Sequence, residues 1–180
     1  MIKLVILDID GIMTDGKKYY DSSGLCFAKT FCDKDWTTIK RFRAIGIPVV
    51  FLTGDPNINE KLANNRNLHV IVNRKDGVHA DKSEYLESLC EQYSCSPDEV
   101  CYFGDDLFDI GIMKMVRYSF CVEDSPKIVK EYASRVVPSH GGDNAVMKMF
   151  EILEEEQKIP RVGYSELMPK IYDLDKKEVF

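Results

Sequence analysis

The sequence carries three histidines and one tryptophan, and its six cysteines form no C-x-x-C pair. No histidine stands at ligand spacing beside Cys26, Cys32, Cys90, Cys95, Cys101 or Cys121, which argues against a structural zinc site. A chain of 180 residues buries roughly 70% of its unfolded surface and needs no disulfide framework, so the thiols read as reduced and mostly buried. Cationic residues are outnumbered, 24 Lys and Arg against 30 Asp and Glu for a net charge of −6, and form no basic stripe. Nucleic acid is thereby excluded as a general partner, and an anionic small substrate would need a locally positive pocket or a metal. No apolar stretch approaches a membrane span, and carboxylates interrupt the first apolar run too early for a signal peptide, so a cytoplasmic protein with no membrane partner is expected. Internal repeats and low-complexity segments are absent as well.

What is present centres on residues 2–16. Ile2-Lys3-Leu4-Val5-Ile6-Leu7 is an apolar, largely β-branched run that ends in Asp8-Ile9-Asp10-Gly11. Such a run predicts a strand covered on both faces, as in a parallel sheet. Carboxylates at i and i+2 of an extended chain point to one side, which delivers Asp8 and Asp10 together at the carboxyl end of a core strand. Open α/β sheets bind their ligands there. Two adjacent buried carboxylates require a cation or a shared proton.

Downstream, strands alternate with helices. Residues 17–31 read as a β-hairpin turning at Asp21-Ser22-Ser23-Gly24. Helical spacing of Trp36, Ile39 and Phe42 predicts a helix over 33–44, stopped by Gly46. Further strands are expected at 47–52, 68–72, 100–103, 118–122 and 135–137. Helices are expected at 57–67, 81–93, after 109 to about 116, at 125–132 and at 145–156. The pattern predicts an α/β fold, a doubly wound parallel sheet with right-handed crossovers. From Gln157 onward, Pro160, Gly163, Pro169 and mixed charge read as a tail that wraps the body or is loosely ordered.

Four features fall at strand ends or helix openings: Asp8 with Asp10, Thr53-Gly54, Lys82, and Gly104-Asp105-Asp106 with Asp109. Singly, each except the first is most simply a turn, a cap or a solvated lysine. In this order they carry a resemblance to the haloacid dehalogenase superfamily of phosphohydrolases. Asp8-x-Asp10-Gly11-x-x-Thr14-Asp15 resembles its first motif, Thr53 its second, Lys82 its third and Gly104-Asp105-Asp106-x-x-Asp109 its fourth. The short hairpin after the first motif resembles the branch without a cap domain. Asp15-Gly16, Tyr19-Tyr20-Asp21, Phe31-x-x-x-Asp35 and Gly141-Gly142 are similar to the phosphatases of eight- and nine-carbon sugar-acid phosphates.

The resemblance implies a Rossmann-like phosphatase domain over 1–156 with a tail at 157–180. It implies Asp8 as nucleophile, Asp10 as general acid and base, and Mg2+ held by Asp8, the Asp10 backbone carbonyl and Asp105. Asp106 and Asp109 would orient waters or Lys82, while Thr53, Gly54 and Lys82 would hold the phosphoryl group. It further implies a homo-oligomer, a tetramer, with residues 140–144 near a neighbour's site. Two positions depart from the octulosonate pattern, Asp55 where that pattern has arginine and Trp36 where it has glycine. Asp55 is expected either to bind sugar hydroxyls, favouring nine-carbon acids, or to cap the next helix, and Trp36 to be core or to narrow the pocket. His140 is expected to contact substrate or merely to fill its loop, whereas His69 and His79 read as surface or loop residues without partners. A non-catalytic oligomerisation scaffold and a phosphatase for an unrelated small phosphate are the alternative functions.

Overall fold

Four consecutive apolar residues without alternation have to be covered on both faces, and in β1 (Leu4–Leu7) all four are buried. The computed structural model describes residues 1–179, apart from the side chain of Lys75. Strands β2 (Tyr19–Tyr20) and β3 (Cys26–Ala28) pair antiparallel as a hairpin outside the main sheet. Helix α1 (Asp33–Ala44) leads to β4 (Val49–Thr53), α2 (Ile58–Asn65) and β5 (His69–Val72). A second antiparallel ribbon follows, β6 (Arg74–Lys75) with β7 (Val78–His79). A 3-10 turn at Lys82–Tyr85 opens α3 (Leu86–Gln92), which leads to β8 (Val100–Phe103), α4 (Ile110–Met113) and β9 (Tyr118–Val122). The chain continues through α5 (Lys127–Tyr132), β10 (Arg135–Val137), α6 (Ala145–Glu155) and α7 (Tyr164–Asp175).

The main sheet runs β10-β9-β8-β1-β4-β5 with every pairing parallel, the α/β architecture expected from the alternation of elements. Alternation along β1 splits the core. Val5 and Leu7 join Trp36, Ile39 and Phe42 of α1 and Met149, Phe150 and Leu153 of α6 on one face. Leu4 and Ile6 join Leu86 and Leu89 of α3, Ile112 of α4 and Val129 of α5 on the other. Chain order moves outward from β1 in opposite directions on its two sides, so the crevice of the fold opens at the carboxyl end of β1.

Three features differ from the sequence reading. Asp10 is not extended strand: β1 ends at Leu7, and the amides of Ile12, Met13 and Thr14 all turn back onto the Ile9 carbonyl. Asp8 and Asp10 therefore border the same cavity from a tight turn rather than from one face of a strand. The ribbon β6–β7 was not expected. And the segment after Gln157 holds a helix despite Pro169, with Ile171 buried against the body. Its end is strapped down by Lys40 to Asp175 and Glu178, by Arg66 to Glu178 at 3.0 Å, and by the Val179 amide to the Asn65 carbonyl.

Candidate active site

The carboxyl ends of β1, β4 and β8 border a cavity of about 640 Å³ lined by Asp8, Asp10, Thr53, Gly54, Lys82 and Asp105, among others. Asp8, first residue after β1, receives the Ile9 amide on Oδ1 at 2.7 Å and the Lys82 ammonium on Oδ2 at 2.7 Å. Lys82 Nζ also donates to Asp109 Oδ1 at 2.6 Å. That oxygen accepts the Tyr102 hydroxyl as well, at 2.6 Å, while Asp109 Oδ2 accepts the amides of Asp105 and Asp106 at 2.8 and 2.9 Å. Burial opposes the charge on Lys82, but Asp109 and Asp8 outweigh it and hold the ammonium above its ordinary value. Burial likewise opposes ionisation of Asp109, and Lys82 with the amide and hydroxyl donors keeps it below the usual carboxylate range.

Asp105 has no such support. Burial, then the charges of Asp8 and Asp109, push its carboxyl to about 8, while burial raises Asp8 to about 7 against the pull of Lys82. Asp105 Oδ1 is buried with no hydrogen-bond partner. Single oxygens of Asp8, Asp105 and Asp109 lie within 4.8 Å of one another. Asp109 is fully committed to Lys82, Tyr102 and the two amides and does not line the cavity, whereas Asp8 and Asp105 do. Gly11, at φ +87°, makes the cradle possible: a Cβ there would sit 2.0 Å from Asp105 Oδ2. A hard divalent cation fits this all-oxygen pair, in which Asp105 Oδ1 is buried without a partner.

Asp10 is held by a residue that sequence reasoning missed. Lys29, just past β3, buries its side chain completely and places Nζ 2.8 and 2.9 Å from the two Asp10 oxygens. The same ammonium reaches Asp55 Oδ2 at 2.6 Å and Asn59 Oδ1 at 2.9 Å. Asn59 in turn donates to Thr53 Oγ1 at 2.9 Å and to Asp10 at 3.2 Å. No pattern in the hairpin marks Lys29 as buried, since its neighbours Phe27 and Thr30 are exposed. Asp55 makes the bond expected of a cap and adds one that was not expected: Oδ1 accepts the Asn57 amide just before α2, and Oδ2 is bound to Lys29. Burial notwithstanding, the Lys29 hydrogen bond leads the influences that hold Asp55 below its ordinary value.

The mouth is formed by the second ribbon. His79 stacks on Phe108 at 4.7 Å and lies so close to Gly54 that a Cβ on that glycine would meet its ring at 2.2 Å. Arg74 Nη2 is 2.7 Å from His79 Nε2. Contrary to their reading as surface or loop residues without partners, His79 is a partnered residue of the cavity wall and His69 is 2.9 Å from the Tyr93 hydroxyl.

The remaining expected residues divide. Asp106 is exposed and accepts the Leu107 amide, a capping arrangement. Trp36 is core, packed between Phe31, Phe51 and the Arg66 guanidinium, and does not narrow the cavity. His140 lies outside the cavity, its side chain 67% exposed and turned toward Glu123. The Gly141-Gly142 pair packs on its own chain: a Cβ on Gly141 would lie 2.0 Å from the Gly11 carbonyl oxygen, and the Gly142 amide donates to Ile12. That contact explains the two glycines without a neighbouring subunit.

Residues 64–150 match the family model of haloacid dehalogenase-like hydrolases. The chain is 30% identical to the 3-deoxy-D-manno-octulosonate 8-phosphate phosphatase of Haemophilus influenzae over 87% of this chain and 84% of the relative. It is 30% identical to that of Yersinia pestis over 84% and 79%. Among solved structures it superposes on the cobalt-bound deoxy-D-mannose-octulosonate 8-phosphate phosphatase of H. influenzae with a TM-score of 0.78 at 30% identity, covering 87% and 89% of the two chains. The Moraxella catarrhalis octulosonate 8-phosphate phosphatase, solved with magnesium, phosphate and the sugar acid, gives 0.76 at 25% identity and covers 86% of each. With that similarity along most of its length, the chain belongs to the haloacid dehalogenase-like hydrolase family.

Proposed function

We propose that this protein is a magnesium-dependent phosphatase acting on the phosphate monoester of a 2-keto-3-deoxy sugar acid, an octulosonate 8-phosphate or a nonulosonate 9-phosphate. The observation that carries the reading is Asp8, held between the Lys82 ammonium and the unpaired Asp105 at the end of the central strand. In the reaction an Asp8 carboxylate oxygen forms a bond to phosphorus as the ester P–O bond breaks. Asp10 gives a proton to the departing alkoxide, then takes one from the water that attacks the aspartyl-phosphate and frees Asp8 and inorganic phosphate. Lys82 carries charge toward the phosphoryl oxygens, Thr53 and the Gly54 backbone border them, and Asp109 fixes the Lys82 head. Magnesium, held by Asp8, Asp105 and the Asp10 carbonyl, supplies Lewis-acid stabilisation of phosphoryl charge. Asp106, at the rim of the same loop, is assigned to water orientation.

The substrate class rests on relatives named as octulosonate 8-phosphate phosphatases. We assign a homo-oligomer, which the exposed Tyr19, Tyr20, Leu25 and Phe27 of the hairpin support, and take its size, a tetramer, from the family resemblance. No helix among the described residues is long and apolar enough to cross a membrane. The test is hydrolysis of p-nitrophenyl phosphate and of a panel of sugar-acid phosphates with magnesium and with a chelator. Turnover that survives exhaustive chelation, or no turnover with any phosphate ester, overturns the reading. The second outcome would favour a non-catalytic scaffold.

A further inference from the structure

A sugar-acid phosphate is anionic at both ends, and the phosphoryl site described above answers one end only. Of the cationic side chains lining the cavity, Lys82 is committed to Asp8 and Asp109. Lys18 lies 3.4 Å from Asp10 and 3.7 Å from Asp55. Arg74 differs: among the described residues no carboxylate lies within ion-pair distance of it.

It is nonetheless anchored. Arginine has no acceptor, so its Nη2 donates to His79 Nε2, which requires the neutral His79 tautomer protonated on Nδ1. Burial and then the cations Arg74, Lys82 and Lys18 keep that imidazole neutral. The imidazole is itself wedged between the Phe108 ring and the Gly54 backbone. One donor of the guanidinium fork is used on this anchor, and others remain for a planar, two-oxygen acceptor.

We propose that Arg74 is the specificity residue for the substrate carboxylate, and that the ribbon β6–β7 is the element that carries it to the cavity mouth. The proposal rests on the phosphatase reading. With the phosphoryl group against Asp8 and Lys82, the acid end of the substrate meets Arg74, so the enzyme selects sugar-acid phosphates over neutral sugar phosphates of similar size. His79 is a positioning residue in this scheme, acting through the Arg74 side chain.

The experiment uses the full chain with magnesium and three substrates: 3-deoxy-D-manno-octulosonate 8-phosphate, glucose 6-phosphate and p-nitrophenyl phosphate. In Arg74→Gln the ratio of kcat/KM for the sugar-acid phosphate over glucose 6-phosphate falls at least ~10-fold, mostly through KM, the size of one lost charge-assisted pair. Arg74→Lys recovers part of the ratio, because charge is kept and the fork is lost. Calorimetry with the dephosphorylated sugar acid gives a readout independent of turnover, and its affinity drops in Arg74→Gln. His79→Ala lowers the ratio in the same direction by less. An unchanged ratio in Arg74→Gln overturns the proposal while leaving the phosphatase reading intact. Failure of the unmodified protein to hydrolyse any of the three removes the phosphatase reading and the proposal with it.

Discussion

The floor and the mouth of the cavity are held together in different ways. At the floor, Asp8 and Asp105 follow sheet strands, Lys82 and Asp109 sit in short 3-10 turns, and Lys82 is held by Asp8 and Asp109 while backbone amides complete Asp109. Away from the floor, hairpins outside the sheet deliver Lys29 to Asp10, and His79 with its partner Arg74 to Gly54. A network pinned to backbone amides of a parallel sheet has little room to adjust. Side chains delivered by two-stranded ribbons depend on the ribbon staying docked. The floor is suited to chemistry that needs fixed geometry, and the ribbons to choosing what reaches it.

The sharpest way to break that contrast is at the floor. Asp8→Asn preserves shape and removes the proposed nucleophile, so turnover is expected to fall at least ~10³-fold with thermal stability nearly unchanged. Steady-state assay and calorimetric melting read the two effects separately. Lys29→Met comes next and tests whether a ribbon residue can matter as much as a strand residue. It leaves Asp10 and Asp55 without their shared buried cation, and chemical denaturation should show a loss of about 3 kcal/mol together with reduced kcat. Asp55→Asn in that background should recover part of the stability. If Lys29→Met were as stable as the parent, the ribbon would be ornamental to the site.

Asp55→Arg is the smaller and more instructive change. Sequence reasoning sets Asp55 against the arginine of the octulosonate pattern and leaves two roles open, a contact to sugar hydroxyls that shifts specificity or a helix cap that does not. In the structure an arginine at 55 would face Lys29 and Lys18 in place of their carboxylate partner. The expected outcome is a loss of several-fold or more in kcat/KM for every substrate, with little change in the ratio between octulosonate 8-phosphate and nonulosonate 9-phosphate. Paired kinetics on the two substrates check it.

A buried acid that does not line the cavity supplies the control. Asp35 on α1 accepts the Met147 amide at the start of α6, and burial outweighs its amide bonds to raise its carboxyl from 3.8 to about 6. A raised acid is protonated more readily in the folded chain. Its stabilising contribution is therefore complete below pH ~4 and is lost as pH rises through about 6. Asp35→Asn should gain about 2 kcal/mol over the parent at pH 8, a difference that fades toward pH 4 in urea titrations, without altering kcat/KM.

How far the site was readable follows the same division. The strand-borne floor announced itself because apolar runs ending in Asp8, Thr53 and Asp105 are local signals, and α1 was legible to its last residue because Trp36, Ile39 and Phe42 repeat at helical spacing before Gly46. Lys29 was not legible, since a lysine in an exposed hairpin gives no sign of being drawn into a pocket by carboxylates 19 and 26 residues away. The β6–β7 ribbon is two residues per strand, too short for any alternation to register. Helix α7 was hidden by Pro169, whose missing amide is tolerated because tertiary packing of Ile171 and the ion pairs to Lys40 and Arg66 hold the helix in place.

The contact between Gly141 and the Gly11 carbonyl also bears on how such an enzyme can change over generations. Two main chains 130 residues apart touch there with no room for one methyl group, whereas a Cβ at the ribbon tips, Gly24 and Gly77, would meet nothing within 4 Å. Drift at the first pair is expected to be purged, because a side chain at either glycine collides with its surroundings. At the tips a side chain meets no neighbour, so drift there costs only the strain of the positive φ that Gly24 and Gly77 hold, and insertions there lengthen a wall of the cavity without disturbing its floor. A combinatorial library seeking new substrates therefore belongs at residues 21–25 and 75–78, with the loop from Asp8 to Thr14 left untouched.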